Sequence, residues 1–155
     1  MSAPDGGTIT SVGEDDLGDL LPLMRAYCDF YEVDPSDDAL LALSRALIAD
    51  HEREGLQLIA RAPDGAAVGF ATLYWTWQTT SASRLGVMND LFVSEAARGT
   101  GLADRLIAAC RERCAEHGAR TLAWQTAKDN HRAQKVYERV GGRRSEWLDY
   151  SLPVE

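Results

Sequence analysis

Cysteine is scarce in this chain: Cys28, Cys110 and Cys114 are the only three, an odd number with no Cys-x-x-Cys pair. That excludes a disulfide framework. Cys110 and Cys114, spaced i, i+4 among apolar positions of a helix, read as core thiols of a reducing compartment. No stretch approaches the ~20 apolar residues that a membrane helix needs, and Met1-Ser2-Ala3-Pro4-Asp5 has neither the basic nor the apolar region of a signal peptide. No membrane partner is therefore expected, and the cytoplasm is the default location. Basic residues are also in deficit. Sixteen Lys and Arg against 24 Asp and Glu leave a net charge of −8, which opposes a sequence-independent grip on nucleic acid. Internal repeats, low-complexity tracts and long linkers are missing as well, so residues 1–155 are expected to form a single domain.

What is present is an ordinary globular composition: 155 residues, 45% hydrophobic and 26% charged, enough to bury a core without metal or disulfide staples. No metal is expected. The charge is unevenly divided, since residues 1–55 carry 13 acids and 3 bases (net −10) while 56–155 carry 11 acids and 13 bases (net +2). The acidic part reads either as a solvated helical face or as the wall of a site for a cation.

Thr8 to Val12 reads as a short strand, followed by Leu17, Leu20, Leu21 and Met24 at helical spacing to about Phe30. Pro35-Ser36-Asp37 interrupts, and Leu40, Leu41, Leu43, Leu47 and Ile48 mark a second helix that Gly55 can end. Leu56–Ala60 and Ala67–Tyr74 flank the turn Pro63-Asp64-Gly65 as a hairpin, and Leu85–Val93 is the next strand. Leu102, Leu106, Ile107, Cys110 and Cys114 give an amphipathic helix to Gly118, then Thr121–Thr126 a strand. Ala133, Val136, Tyr137 and Val140 mark a last helix ended by Gly141-Gly142, and two short strands are expected to finish the chain. The order is βααβββαβαββ.

In Arg98-Gly99-Thr100-Gly101-Leu102-Ala103-Asp104 the glycines permit close backbone approach, and the helix that follows offers unpaired N–H groups and a positive dipole end. This combination suits a pyrophosphate, although it also serves as a plain tight turn. No Gly-Lys-Ser/Thr follows, so it is not a Walker A loop, and Asp104 stands where a dinucleotide fingerprint needs a third glycine.

Taken together, Asp90-Leu91-Phe92-Val93, the Arg98–Ala103 turn and Asn130-x-x-Ala133-x-x-x-Tyr137-x-x-x-Gly141 resemble the GNAT N-acetyltransferase superfamily. The motifs occupy about residues 88–141, and the element order extends the likeness over most of the chain. The resemblance implies an α/β (α+β) fold with a mixed, mostly antiparallel central sheet, a splayed parallel pair and helices on both faces. It implies acetyl-CoA as acetyl donor, the main chain of Leu91 and Val93 pairing with the pantetheine arm, Phe92 between them also at the cofactor, and the amides of Arg98, Gly99, Thr100, Gly101, Leu102, Ala103 and Asp104 cradling the pyrophosphate. Asn130 would hydrogen-bond the pantetheine region, and Ala133 would leave it room. Asn130 is equally suited to cap a helix.

The implied reaction is acetyl transfer from the thioester to a primary amine. Tyr137 matches the position of a hydroxyl that assists the leaving thiolate, or it is a core aromatic. For the proton acceptor, Asp90 is the first candidate and also a plausible structural hydrogen-bond acceptor. The adjacent Asn89 cannot titrate, although some relatives carry an acid there. Asp29, Glu32 and Asp34, with Tyr31 beside them and Trp75 at a strand end, could form a pocket for an ammonium group or else be surface acids and core aromatics. The expected acceptor is a small cationic amine, polyamine-like or aminoglycoside-like. A protein N-terminus or lysine is the alternative, a non-catalytic acyl-CoA-binding module is another, and a homodimer is left open.

Overall fold

In a computed structural model that describes residues 6–154, the chain divides into two compact units, Met1–Gln125 and Thr126–Glu155. The first unit contains β1 (Thr8–Ser11), α1 (Leu17–Phe30), α2 (Asp37–Ala49), β2 (Gly55–Arg61), β3 (Ala67–Gln78), β4 (Ser83–Val93), α3 (Leu102–His117) and β5 (Ala119–Ala123). Its strands form one sheet in the order β1-β2-β3-β4-β5, in which only the β4–β5 pair is parallel.

Local chemistry accounts for the helix ends. The Ser36 hydroxyl accepts from the Ala39 N–H at 3.1 Å and so caps α2. At its other end α2 stops at Ala49, short of the expected Gly55, because Asp50 leaves helical geometry with φ −146° and ψ 64°. Gly55 instead opens β2 at φ +138°, where a Cβ would stand 2.1 Å from the Leu73 carbonyl oxygen. The β2–β3 hairpin turns as expected: Ala62 N–H donates to Ala66 O at 2.8 Å and the Asp64 carboxylate accepts from Ala66 N–H at 2.9 Å.

Alternation along β3 sends successive side chains to opposite faces. Phe70 joins Ile59 in a cluster with Leu17, Leu20, Leu23 and Met24 of α1. Its neighbour Gly69 lies under α3, where a Cβ would meet Leu102 Cδ2 at 3.3 Å, and Gly86 lies so close to α3 that a Cβ would meet Cys114 Sγ at 2.4 Å. Helices thus cover both faces. All three cysteines are buried and unbridged, and burial pushes Cys110 up to about 12 and Cys114 up to about 11, keeping both as unreactive thiols.

Strand β4 is irregular on both of its sides. Its parallel pairing with β5 covers only Arg84–Val87, whereas β4 itself runs on to Val93. Along β3 the register passes from Leu73↔Met88 to Thr72↔Asp90, so Asn89 is the extra residue of a β-bulge.

The second unit contains α4 (His131–Arg139), capped by the Asn130 side-chain oxygen Oδ1, which accepts from the Ala133 N–H at 3.1 Å. Gly141, at φ +92°, and the Gly142 N–H donating to Tyr137 O at 2.8 Å end it. The two closing strands expected from the sequence are not formed among the described residues. Leu148, Tyr150, Leu152 and Val154 do have a strand's period of two, but they are 65–95% exposed. Period alone does not make a strand: the backbone must find a ladder partner, and here it has none. Among the described residues no helix is long and apolar enough to cross a membrane.

Candidate active site

The site begins at the bulge. One extra residue re-aims the strand locally, and α1 reaches it through Tyr27, whose hydroxyl donates to the Asn89 carbonyl at a long 3.4 Å. Asn89 is exposed and its Nδ2 donates to Asp90 Oδ1 at 3.0 Å, orienting the carboxylate beside the bulge. Burial raises the Tyr27 phenol well above its ordinary value, and the Asp90 charge adds to the effect. Burial likewise pushes Tyr74 up to about 12, again reinforced by Asp90. Both phenols are therefore fixed as protonated groups next to one carboxylate.

Tyr27 also organises the aromatic end of α1. Its ring packs on Phe70 at 5.7 Å and Phe92 at 6.4 Å on the core side and on Tyr31 at 5.0 Å on the outer side. The predicted substrate residues Tyr31 and Asn89 are thus brought to either side of one ring. Asp29 and Glu32 are exposed at the same end of α1. Asp34 has another engagement: it pairs with Arg25, which also donates to the Pro35 carbonyl and lies 3.4 Å from Asp37. Trp75 is separated from this group altogether. It is 8% exposed, its indole N–H donates to His51 O at 2.9 Å, and its ring stacks on His117 of α3 at 3.9 Å.

Downstream of the bulge, Leu91, Phe92 and Val93 are half-buried on the stretch of β4 that β5 does not pair. The Phe92 side chain is committed to the core and its main chain pairs with Phe70 of β3, which leaves the main chain of Leu91 and Val93 on the open side of the strand. The Val93 carbonyl accepts a long 3.4 Å bond from Arg98 Nε. A 3₁₀ turn over Glu95–Ala97 then leads to Gly99 and Gly101 at φ +77° and +82°. A Cβ on either glycine would meet no atom within 4 Å, so the space above the turn is open. The Thr100 hydroxyl donates back to Ala97 O, and Gly101, the N-cap of α3, brings no side chain to cap the helix start. An open, positively polarised helix end formed by left-handed glycines fits a pyrophosphate.

In the second unit Asn130, Ala133 and Tyr137 are half-buried. Their i, i+3, i+7 spacing puts them on one face of α4. Asn130 does cap the helix, and Gln134 ties the preceding loop to it by donating to Ala127 O at 3.1 Å and Lys128 O at 3.0 Å.

The sequence pattern anticipated the strand, the glycine turn and the helix that follows it, but not Tyr27 and Tyr74 as neighbours of Asp90. Tyr27 lies 62 residues from its Asn89 partner. The only local signal was its position on the buried face of a helix.

The model of the Acetyltransferase (GNAT) family matches residues 20–142. An uncharacterized N-acetyltransferase of Bacillus subtilis (strain 168), YhfO, is 33% identical over 126 residues, covering 81% of this chain and 83% of that protein. Among solved structures, a probable acetyltransferase superposes with TM-score 0.84 at 28% identity, covering 96% of this chain and 98% of the other. AAC(6')-Iy, in complex with the bisubstrate analog CoA-S-monomethyl-acetylneamine, superposes with TM-score 0.81 at 26% identity, covering 94% and 97%. With the motifs, the sheet and these likenesses in agreement, the chain belongs to the GNAT family and is an acetyl-CoA-dependent N-acetyltransferase.

Proposed function

We propose that the acceptor is a small cationic amine, polyamine-like or aminoglycoside-like, and that Asp90 takes up its proton. The observation that carries this reading is the Asp90 carboxylate at the bulge, with the Tyr27 and Tyr74 phenols beside it and exposed Asp29 and Glu32 at the nearby end of α1. Carboxylates and aromatic faces attract ammonium groups. That AAC(6')-Iy was solved with an aminoglycoside-based bisubstrate analog is consistent with it.

In the proposed sequence the ammonium gives its proton to Asp90, directly or through water. The nitrogen lone pair would then attack the thioester carbonyl carbon, the C–S bond would break with its electrons going to sulfur, Tyr137 would protonate the thiolate, and the second proton shed by the nitrogen as the amide forms would return to the Tyr137 phenolate. Donor binding would use the main chain of Leu91 and Val93 as the partner of an added strand, which their freedom from β5 supports. The amides from Arg98 to Asp104 would hold the pyrophosphate, while Asn130 and Ala133 keep their family roles at the pantetheine arm.

Asp90→Asn is expected to shift the pH–rate profile for one amine toward higher pH, because the neutral amine must then come from solution. A profile and rate identical to the wild type would assign Asp90 to structure. The charge reading is tested separately. A diamine is expected to exceed a monoamine, and both to exceed an acidic amino acid, in kcat/KM. That order should shrink as salt shortens the ~8 Å Debye length of physiological ionic strength. Neutralising Asp29 and Glu32 should lower kcat/KM for the diamine, while Asp34→Asn, acting on a carboxylate already paired with Arg25, should do less. Preference for the acidic acceptor would overturn the cationic-amine reading and leave acetyl transfer intact.

A further inference from the structure

Three polar side chains stand in a row across the sheet. Gln57 of β2 lies directly opposite Thr72 of β3, and Thr72 directly opposite Asp90 of β4, so all three project from one face, with Cβ atoms about 4.5–5.5 Å apart from strand to strand. Gln57 is 3% exposed and Thr72 0%, whereas Asp90 is half-buried at the bulge. Helix α1 reaches both ends of the row. Met24 Sδ faces Gln57 Nε2 at 3.6 Å, and Tyr27, about one turn further on, carries its phenol beside Asp90.

The row has a direction. Gln57 Nε2 donates to Thr72 Oγ1 at 3.1 Å, and its other N–H faces the Met24 sulfur, which the Ser44 hydroxyl also faces at 3.7 Å. A thioether accepts and does not donate, so the NH₂ group of the amide belongs on this side. Thr72 Oγ1 is thus already an acceptor and turns its own proton away from Gln57, and the polar group opposite it on the next strand is the Asp90 carboxylate. No hydrogen bond joins the two among the described residues, so the hydroxyl acts on the carboxylate as an oriented dipole. The arrangement costs free energy, because Gln57 Oε1 is buried without a partner. Two apolar side chains would pair β2 with β3 without that cost.

We propose that Thr72, oriented by Gln57, is a positioning residue for Asp90: its O–H dipole favours and steadies the ionised carboxylate at the bulge. Its bearing on catalysis rests on the reading of Asp90 as the acceptor of the amine's proton. The titratable groups that face Asp90 are Tyr27 and Cys28 of α1 and Tyr74 of β3, and burial keeps all three protonated. The hydroxyl of Thr72 therefore works among neutral neighbours.

The test follows the Asp90 carboxyl carbon of the ¹³C-labelled full chain by NMR across pH, alongside the pH–rate profile for one amine, in the wild type, Thr72→Val, Thr72→Ser and Gln57→Leu. Thr72→Val keeps the shape of the side chain and deletes the dipole, which favours the protonated acid. The Asp90 titration and the acidic limb of kcat/KM should both move up by about half a pH unit, a roughly threefold loss of rate below the midpoint. Thr72→Ser should restore both curves, and Gln57→Leu, which frees the hydroxyl to turn, should move them in the same direction. Curves equal to the wild type in Thr72→Val, failure of Thr72→Ser to restore them, or a Thr72→Val effect on kcat/KM that persists in the Asp90→Asn background would each overturn the proposal. Should Thr72→Val not fold, unchanged curves in Gln57→Leu would overturn it equally. An Asp90 titration that moves as expected, with a wild-type pH–rate profile in Asp90→Asn, would instead overturn the reading of Asp90 as proton acceptor and leave the hold of Thr72 on Asp90 standing.

Discussion

Tyr137→Phe is expected to lower the single-turnover acetyl-transfer rate by ~10²–10⁴-fold while leaving the fold and acetyl-CoA affinity unchanged. The substitution removes one oxygen from a half-buried ring on α4 and keeps the ring's packing. The helix itself depends on other groups: Asn130 caps its start and Gly142 closes its end. On the proposed mechanism, what is lost is the proton for the departing sulfur. A thiol with an ordinary pKa of about 8.5 leaves more readily than an alkoxide, so the assistance is partial and the lower end of the range is as informative as the upper. The expected signature is a fall in kcat with little change in KM, the pattern of an interaction made chiefly in the transition state. Single-turnover rates equal to the wild type would return Tyr137 to the role of a packing aromatic.

The parts of the fold that were legible in advance are those specified by neighbours in sequence. The strand–glycine turn–helix unit from β4 to α3 can be read because period, left-handed glycines and an uncapped helix start all lie within a few turns of chain. The same holds for Asn130, whose capping bond reaches only to Ala133. Long-range partners were not legible. That Asn89 is extra depends on how β4 meets β3, and the register slips there because Thr72 opposes Asp90 while Leu73 opposes Met88. Trp75 has the strand period of an ordered aromatic, but period does not say which face is α1's and which is α3's. The stack on His117 decides that. Asp34 looked like one of three equivalent acids until the pairing with Arg25, nine residues back, distinguished it. The two strands expected after Gly142 failed because no local signal says whether an edge will pair with that stretch.

Gly101→Val is expected to abolish measurable acetyl-CoA binding in calorimetry of a folded variant. Two effects combine at this position. The residue sits at φ +82° as the N-cap of α3, a left-handed conformation that costs an L-residue about 1–2 kcal/mol and a β-branched one more. The turn would therefore relax away from the geometry that presents the Leu102 and Ala103 amides outward. In addition, a side chain there would project into space that holds no protein atom within 4 Å, which is where a pyrophosphate approaching those amides must lie. Strain alone is controlled by Gly118→Val at the opposite end of the same helix, where φ is +80° and the space around a Cβ is equally open. Both variants should lose a similar amount of stability in denaturant. Only Gly101→Val should lose the donor. Equal acetyl-CoA affinity in the two, with both folded, would remove the pyrophosphate from this turn, whereas loss in both would mean that helix strain, and not occlusion, governs binding.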